Sequence, residues 1–307
     1  MTTIAFLGPE GTFAHAALRA LPASTDATLL AMTNVTLAID AVRSGVADAA
    51  LVPLENSVEG AVPATLDELA NGDALVIAEE IYLAVTFELM VRPGTSLADI
   101  TSVATHPHAE AQVRRWLIDS LPTAEVALVG STAGAAQAVA GGEYDAAVGA
   151  AVAGELYGLD IAAHDIADNG GAVTRFVLLT RPAPPPAPTG NDRTTLVAYL
   201  RENHSGALLE ILSEFATRAV NLTRIESRPT KGRIGQYCFS IDCEGHIDDE
   251  RVGDALAALH RVCGDVRYLG SYPRRDGELG PVPPGRTDAE FAEARTWLSG
   301  VRDLGTS

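Results

Sequence analysis

The sequence predicts an α/β protein: two α/β lobes enclosing a cleft, then a ferredoxin-like βαββαβ module. Three observations predict it. Short β-like runs alternate with helical ones up to Arg181, one stretch of that alternation repeats, and beyond a proline-rich break the order becomes strand, helix, strand, strand, helix, strand. A chain of 307 residues exceeds the size at which single cores stop growing, and 47% hydrophobic against 20% charged residues supplies more than one core.

In the first part, strands are expected at Ile4 to Leu7, Thr28 to Met32 and Ala49 to Val52, with helices from about Thr12 to Leu21 and Leu37 to Val42. The rhythm returns at Thr101 to Ala104, His108 to Leu121, Val126 to Val129, Thr132 to Ala140 and Ala146 to Val148. Ala41 to Ala50 aligns without gaps on Ala138 to Ala147, placing Gly45 on Gly142 and Asp48-Ala49-Ala50 on Asp145-Ala146-Ala147. In each copy a helix ends at a glycine suited to a left-handed cap, and the aspartate opens a strand. Two lobes of similar build follow, chance similarity among alanine-rich helices being the alternative. Their expected extents are 1–76 plus 160–181, and 77–159. Ligands of such folds bind at the carboxyl ends of strands, in the cleft.

Residues 182–192 contain Pro182, Pro184, Pro185, Pro186 and Pro188, an extended semi-rigid linker. The second module, 193–273, is expected to run strand Thr194 to Leu200, helix Gly206 to Val220, strands Leu222 to Glu226 and Gly235 to Asp242, helix Asp249 to Val262 and strand Val266 to Tyr272. Its helices are amphipathic, with Leu208, Leu212 and Phe215 on one face of the first and Val252, Leu256 and Leu259 on the second. Tyr237, Phe239 and Ile241 alternate with Cys238, Ser240 and Asp242 as in a half-buried strand. The tail, 274–307, allows a short helix from Asp288 to Leu298.

A net charge of -18 without a Lys/Arg cluster excludes nucleic acid as a partner, and requires any anionic ligand to be held by a locally positive site, from helix N-termini or a buried arginine. No run reaches the ~18 apolar residues of a membrane span. The first residues read as a strand cut short by Gly8-Pro9 and not as a signal peptide. Cys238, Cys243 and Cys263 form no CxxC pair and leave an odd thiol, which points to a reducing, cytoplasmic setting and away from zinc.

Four segments carry candidate chemistry. Gly8-Pro9-Glu10-Gly11-Thr12-Phe13 lies between strand and helix, where N–H groups and the Thr12 hydroxyl suit a carboxylate, or where Thr12 simply caps a helix. Asn56 and Ser57, in Glu55-Asn56-Ser57-Val58-Glu59-Gly60, lie beyond a strand end and can bond a ligand or form a turn. Arg175, in the apolar strand Val173 to Leu179, needs an anionic partner, either an acidic substrate or a structural carboxylate such as Asp168. His106 and His108, ahead of Gln112, lack the carboxylate spacing of a metal motif and read as hydrogen-bonding or capping groups. No Walker, GxGxxG or GxSxG pattern occurs.

Taken in order, GPEGTF (Gly8 to Phe13), ENSVEG (Glu55 to Gly60), THPHAEAQ (Thr105 to Gln112), STAGAA (Ser131 to Ala136) and TRF (Thr174 to Phe176) resemble the motif series of prephenate dehydratases. Gly206-Ala207-Leu208-Leu209 and Glu226-Ser227-Arg228-Pro229 resemble the GALL and ESRP motifs of ACT domains in phenylalanine-inhibited members. The sequence departs from the family at Ala172, usually Asn, and at Ser205, usually Pro, which is expected to cap the helix that follows. The resemblance is to the monofunctional form. It implies a periplasmic-binding-protein-like catalytic domain over 1–181 and regulation by L-phenylalanine through the ACT domain. It implies no cofactor and no metal, and a homodimer or homotetramer. Thr174 then donates a proton or hydrogen bond to the departing hydroxyl, with Arg175 and Phe176 beside it. Thr12, Asn56, Ser57, Gln112, Ser131 and Thr132 hold the substrate. The GALL and ESRP residues form the L-phenylalanine site. Arogenate dehydratase differs only by a substrate amino group and stays open. So does a non-catalytic sensor of the same clamp fold, whereas a transcriptional regulator would need a helix-turn-helix that is not visible.

Overall fold

The structure, a computed structural model, describes residues 2–230, 237–277 and 280–303. It divides into two compact units, Met1–Thr65 with Ile81–Leu179, and Leu66–Glu80 with Thr180–Ser307.

The chain opens with β1 (Thr3–Leu7), α1 (Phe13–Ala20), β2 (Thr28–Met32), α2 (Val35–Arg43), β3 (Ala49–Asn56), β4 (Gly60–Ala61), α3 (Pro63–Asn71) and β5 (Val76–Ala84). It continues with β6 (Glu88–Val91), β7 (Ser102–Thr105), α4 (Pro107–Ser120), β8 (Glu125–Leu128), α5 (Thr132–Ala140), β9 (Ala146–Gly149), α6 (Ala151–Tyr157), β10 (Asp160–Ala163) and β11 (Val173–Thr180). Two sheets result, ordered β2-β1-β3-β11-β5, with β4 on β3, and β10-β6-β9-β7-β8. Each has a parallel trio at its heart, β2-β1-β3 and β8-β7-β9, so the sequence echo is a repeat of structure. The repeated aspartates do the same work in both copies. Asp48 accepts from the N–H that starts β1, at Thr3, and Asp145 from those that start β7, at Thr101 and Ser102. Those bonds hold the Asp145 carboxyl below its ordinary range.

The lobe boundaries differ from expectation. β5 stays in the first sheet to Ala84 and β10 belongs to the second sheet to Ala163, so the chain crosses after those residues and not at 77 and 160. The outer strands also differ from the trio, since β6 runs antiparallel to β9 and β10. Strand β1 is buried on both faces, as a central strand covered by helices must be. Ile4 and Phe6 pack with Ala17, Leu18 and Leu51 on the α1 side.

In the second unit β12 (Asp192–Tyr199), α7 (Ala207–Ala216), β13 (Leu222–Pro229), β14 (Tyr237–Glu244), α8 (Glu250–Val262) and β15 (Asp265–Pro273) form an antiparallel sheet ordered β13-β14-β12-β15, the ferredoxin-like order. A final helix, α9 (Asp288–Asp303), carries no buried residue. Leu196, Ile211, Phe215, Ile241, Val252 and Leu259 build the core between sheet and helices. The buried face of α7 is Ala207, Ile211 and Phe215, while Leu208 is exposed, a correction to the expected stripe. Ser205 does not cap α7; that place is Gly206, at φ +93°. Gly235, expected to open β14, lies outside the described residues.

Nor is β14 half-buried. Its polar face is covered as well, because Ser240 and Asp242 bond the Arg224 guanidinium and Asp242 accepts from Thr195. Residues 66–80, expected within the first domain, pack with this unit through charge pairs: Arg228 with Asp67, Arg193 with Glu80 and Arg275 with Glu79. Arg193 and Glu80 are each 1% exposed and 2.6 Å apart, so neither charge is left uncompensated. The linker has no regular structure up to Asn191, yet it is held, since Pro186 O lies 2.9 Å from His246 Nε2. Among the described residues no helix is long and apolar enough to cross a membrane.

Candidate active site

Four helices of the first unit begin around one cavity of about 410 Å³. Each start is fixed by a side-chain cap, of which Thr12 and His106 read as caps in the sequence. Thr12 accepts from His15 N on α1, Asn34 from Leu37 N on α2, His106 from His108 N on α4 and Ser131 from Gly134 N on α5. Thr12, His106 and Ser131 themselves line the cavity, as does Thr33 beside Asn34. Helix N-termini concentrate partial positive charge, which supplies the local field an acidic protein needs to hold an anion. Gly11, at φ +89°, lets the first loop approach closely: a Cβ there would stand 3.2 Å from Ala133 Cβ and 3.3 Å from Ala153 Cβ.

The side chain of Asn56, at the end of β3, organises the floor. Its amide N–H donates to Thr174 Oγ1 on β11 at 2.8 Å, and its Oδ1 accepts from Val58 N and Glu59 N. Thr174 is 9% exposed and faces the cavity, as does Phe176. Between them Arg175 turns away. It is 2% exposed, does not line the cavity, and its Nη1 lies 2.9 Å from Glu55 Oε1. Asp168, the alternative carboxylate, instead accepts from Arg115 N and Trp116 N. Ser57 also stays with the backbone, its N–H donating to Val173 O and its Oγ accepting from Val173 N.

The other wall is α4. Gln112 Nε2 donates to Glu59 Oε1 at 3.1 Å, and His108 Nδ1 lies 3.0 Å from Glu59 Oε2. His106 stacks on His108, and burial, followed by the neighbouring His108, pushes its pKa down. Phe13 and Phe87 meet edge to face at 5.3 Å and give the cavity an apolar side.

Of the residues singled out in the sequence, the cavity brings together Thr12, Asn56, Gln112, Ser131, Thr132, Thr174 and Phe176, and leaves out Ser57 and Arg175. Glu59, Thr33 and Phe87 were not singled out. Glu59 stood inside a quoted motif, but its partners are 49 and 53 residues away. Ala172 is packed in the core of the second sheet, 3% exposed, so it presents no side chain to the cavity. Among the described residues no group of three or more His, Cys, Asp or Glu could hold a metal ion.

In the second unit Gly206, Ala207, Leu208, Leu209 and Ser227 line a depression of about 270 Å³. Glu226 and Arg228 alternate with Ser227 along β13 and do not line it, and Arg228 Nε and Nη2 donate to Asp67 Oδ1 instead. Pro229, at the end of β13, is outside it too.

A family profile described as Prephenate dehydratase matches residues 4–184, and one described as ACT domain matches 194–261. A curated prephenate dehydratase of Mycolicibacterium vanbaalenii is 50% identical, covering 99% of each chain. The crystal structure of prephenate dehydratase in complex with L-Phe from Arthrobacter aurescens is 49% identical, with a TM-score of 0.92 over 98% of this chain and 100% of its own. The structure of GqqA, described as a novel type of quorum quenching acylase, is 35% identical with a TM-score of 0.78, over 88% of this chain and 97% of its own. With that similarity running the length of both units, the chain belongs to the prephenate dehydratase family and carries an ACT domain.

Proposed function

We infer that the chain is a lyase that converts prephenate to phenylpyruvate, carbon dioxide and water, under feedback by L-phenylalanine through the ACT domain. The observation that carries the chemistry is the direction of the Asn56–Thr174 bond. Because Asn56 donates to Thr174 Oγ1, the threonine's own proton is free to point into the cavity. There it donates to the substrate hydroxyl. As the ring carboxylate leaves as carbon dioxide, its bond electrons enter the ring, the C–O bond breaks with its pair on oxygen, and one proton completes the water. The ring becomes aromatic, which drives the step without a redox change. A donor aimed at developing charge on the departing oxygen is worth about 10²–10³ in rate. The N-termini of α1, α4 and α5, with Gln112, Ser131 and Thr132, face the substrate's two carboxylates. Arg175 acts from behind, through Glu55.

An acyl transfer, as described for GqqA, fits less well. Among the described residues lining the cavity, no hydroxyl is hydrogen-bonded to an imidazole, the pairing that activates a hydroxyl nucleophile. The test is formation of phenylpyruvate from prephenate, with arogenate and an N-acyl amide run in parallel. Phenylpyruvate from prephenate supports the reading whether or not arogenate is also turned over, and hydrolysis of the amide alone overturns it.

For the effector, the depression sets Leu208, Leu209 and Phe239 beside the polar Asn203, His204 and Ser227 and is open to solvent, which suits an amino acid held in a site completed by a second copy. We therefore read the protein as a homodimer or homotetramer, to be checked by light scattering with and without L-phenylalanine. Burial of all three cysteines as free thiols fits the cytoplasm.

A further inference from the structure

The cavity has an electrostatic oddity. Among the described residues that line it there is no lysine or arginine, Glu59 is the one carboxylate, and the other ionisable side chains are the imidazoles of His106 and His108, the latter 3.0 Å from Glu59. A site for a dianion would be expected to keep carboxylates out, since a like charge within a few ångströms opposes binding. Glu59 is nevertheless built in. Its backbone N–H is held by Asn56 Oδ1 at 3.0 Å, which ties its position to the same side chain that orients Thr174. Its two oxygens face Gln112 Nε2 and His108 Nδ1. The carboxylate therefore has a defined place against α4, at a cavity wall that the substrate must meet.

We propose that Glu59 is a specificity-determining residue that reads the charge of the substrate's side chain, disfavouring the ketone-bearing dianion and favouring its amino counterpart. The inference rests on the dehydratase reading and deepens it. Prephenate and arogenate share ring, hydroxyl and ring carboxylate, and differ where one has a neutral ketone and the other a protonated amine. A negative charge held in the cavity wall by Gln112 and His108 attracts the ammonium and repels the dianion, whereas the neutral donors at the helix N-termini act on the shared carboxylates alike. Glu59 also competes with a substrate carboxylate for the Gln112 amide, which raises KM for the more negative ligand.

The experiment is to measure kcat/KM of the full-length protein for prephenate and for arogenate, in the wild type, Glu59→Gln and Glu59→Ala. Removing the charge should lower KM for prephenate and shift the prephenate-to-arogenate ratio of kcat/KM upward by about tenfold in both variants, a size set by a partly exposed charge at close range. Glu59→Gln keeps the volume and the backbone bond to Asn56, so a change confined to Glu59→Ala is a packing effect and overturns the proposal. An unchanged ratio in both variants overturns it as well. Should the wild type turn over neither substrate, the dehydratase reading itself has failed. If the wild type is active but the ratio does not move, only the role of Glu59 has.

Discussion

Asn56 Nδ2 stands 2.8 Å from Thr174 Oγ1, and this bond fixes which of the two hydroxyl functions of threonine is left for the substrate. An amide N–H can only donate, so Thr174 accepts from Asn56 and must donate elsewhere. Thr174→Ala should therefore cut kcat by about 10²–10³ with KM little changed, because the lost interaction strengthens as charge builds on the leaving oxygen. Thr174→Ser keeps the donor and should be far milder. Near-normal turnover in the alanine variant would remove Thr174 from the mechanism.

Asn56→Asp tests the bond's direction. A carboxylate at that position accepts, so it draws the Thr174 proton away from the cavity. The loss in kcat should approach that of Thr174→Ala, about 10²-fold, although the substitution is isosteric. A loss as small as that of Thr174→Ser would show that the direction of the bond is not used.

How much of this site could be read in the sequence differs residue by residue. Thr12 and His106 were legible as caps because a helix start is a local event, while the caps at Asn34 and Ser131 were not named, and β2 and α5 appear at the expected residues. Helices α3 and α6 were not foreseen. The first runs across the point where the chain passes from one unit to the other, and the second is only seven residues, with a glycine at its centre and no side-chain cap. Arg175 announced that it needs an anion, but nothing local chooses between Glu55, Asp168 and a substrate. That choice depends on β3 and β11 lying side by side, which the register of distant strands decides. The same distance hides the partners of Glu59 and the pairing of Arg228 with Asp67.

Arg175→Ala separates structure from binding. The arginine is buried while Glu55 is one-third exposed, so removing it takes away buried hydrogen bonds and packing but leaves a carboxylate that water reaches, and should destabilise by about 1–3 kcal/mol. Urea midpoints, read with the slope unchanged, should show that loss together with a fall in activity. If activity falls and the midpoint does not, Arg175 contacts the substrate directly and its place behind the floor is wrong.

The two faces of β13 should separate binding of L-phenylalanine from its consequence. Ser227→Trp fills the depression lined by Leu208 and Leu209, and should abolish both binding and inhibition while leaving turnover intact. Arg228→Ala removes the pair with Asp67 and leaves the depression open. It should keep the thermal shift produced by L-phenylalanine but weaken inhibition, since a coupling free energy of ~1–3 kcal/mol is easily lost with one ion pair. Full inhibition in the Arg228 variant would exclude it from coupling.

Finally, His15 makes the first loop sensitive to acid. Its Nδ1 accepts from Gly11 N at 3.0 Å, which requires that nitrogen to be unprotonated, and burial lowers its pKa from 6.5. His106 is lowered for the same first reason, and its Nδ1 accepts from His108 N. For both, the unfolded chain binds more protons than the folded one below 6.5, so stability is fully present above that value and is lost as pH falls toward the folded-state pKa. The urea midpoint should therefore drop between pH 7.5 and 5.5, before most carboxylates titrate. His15→Gln can still offer an acceptor to Gly11 N but cannot titrate, and it should flatten part of that slope. A slope identical to the wild type would show that Gly11 and its loop do not depend on the neutral imidazole.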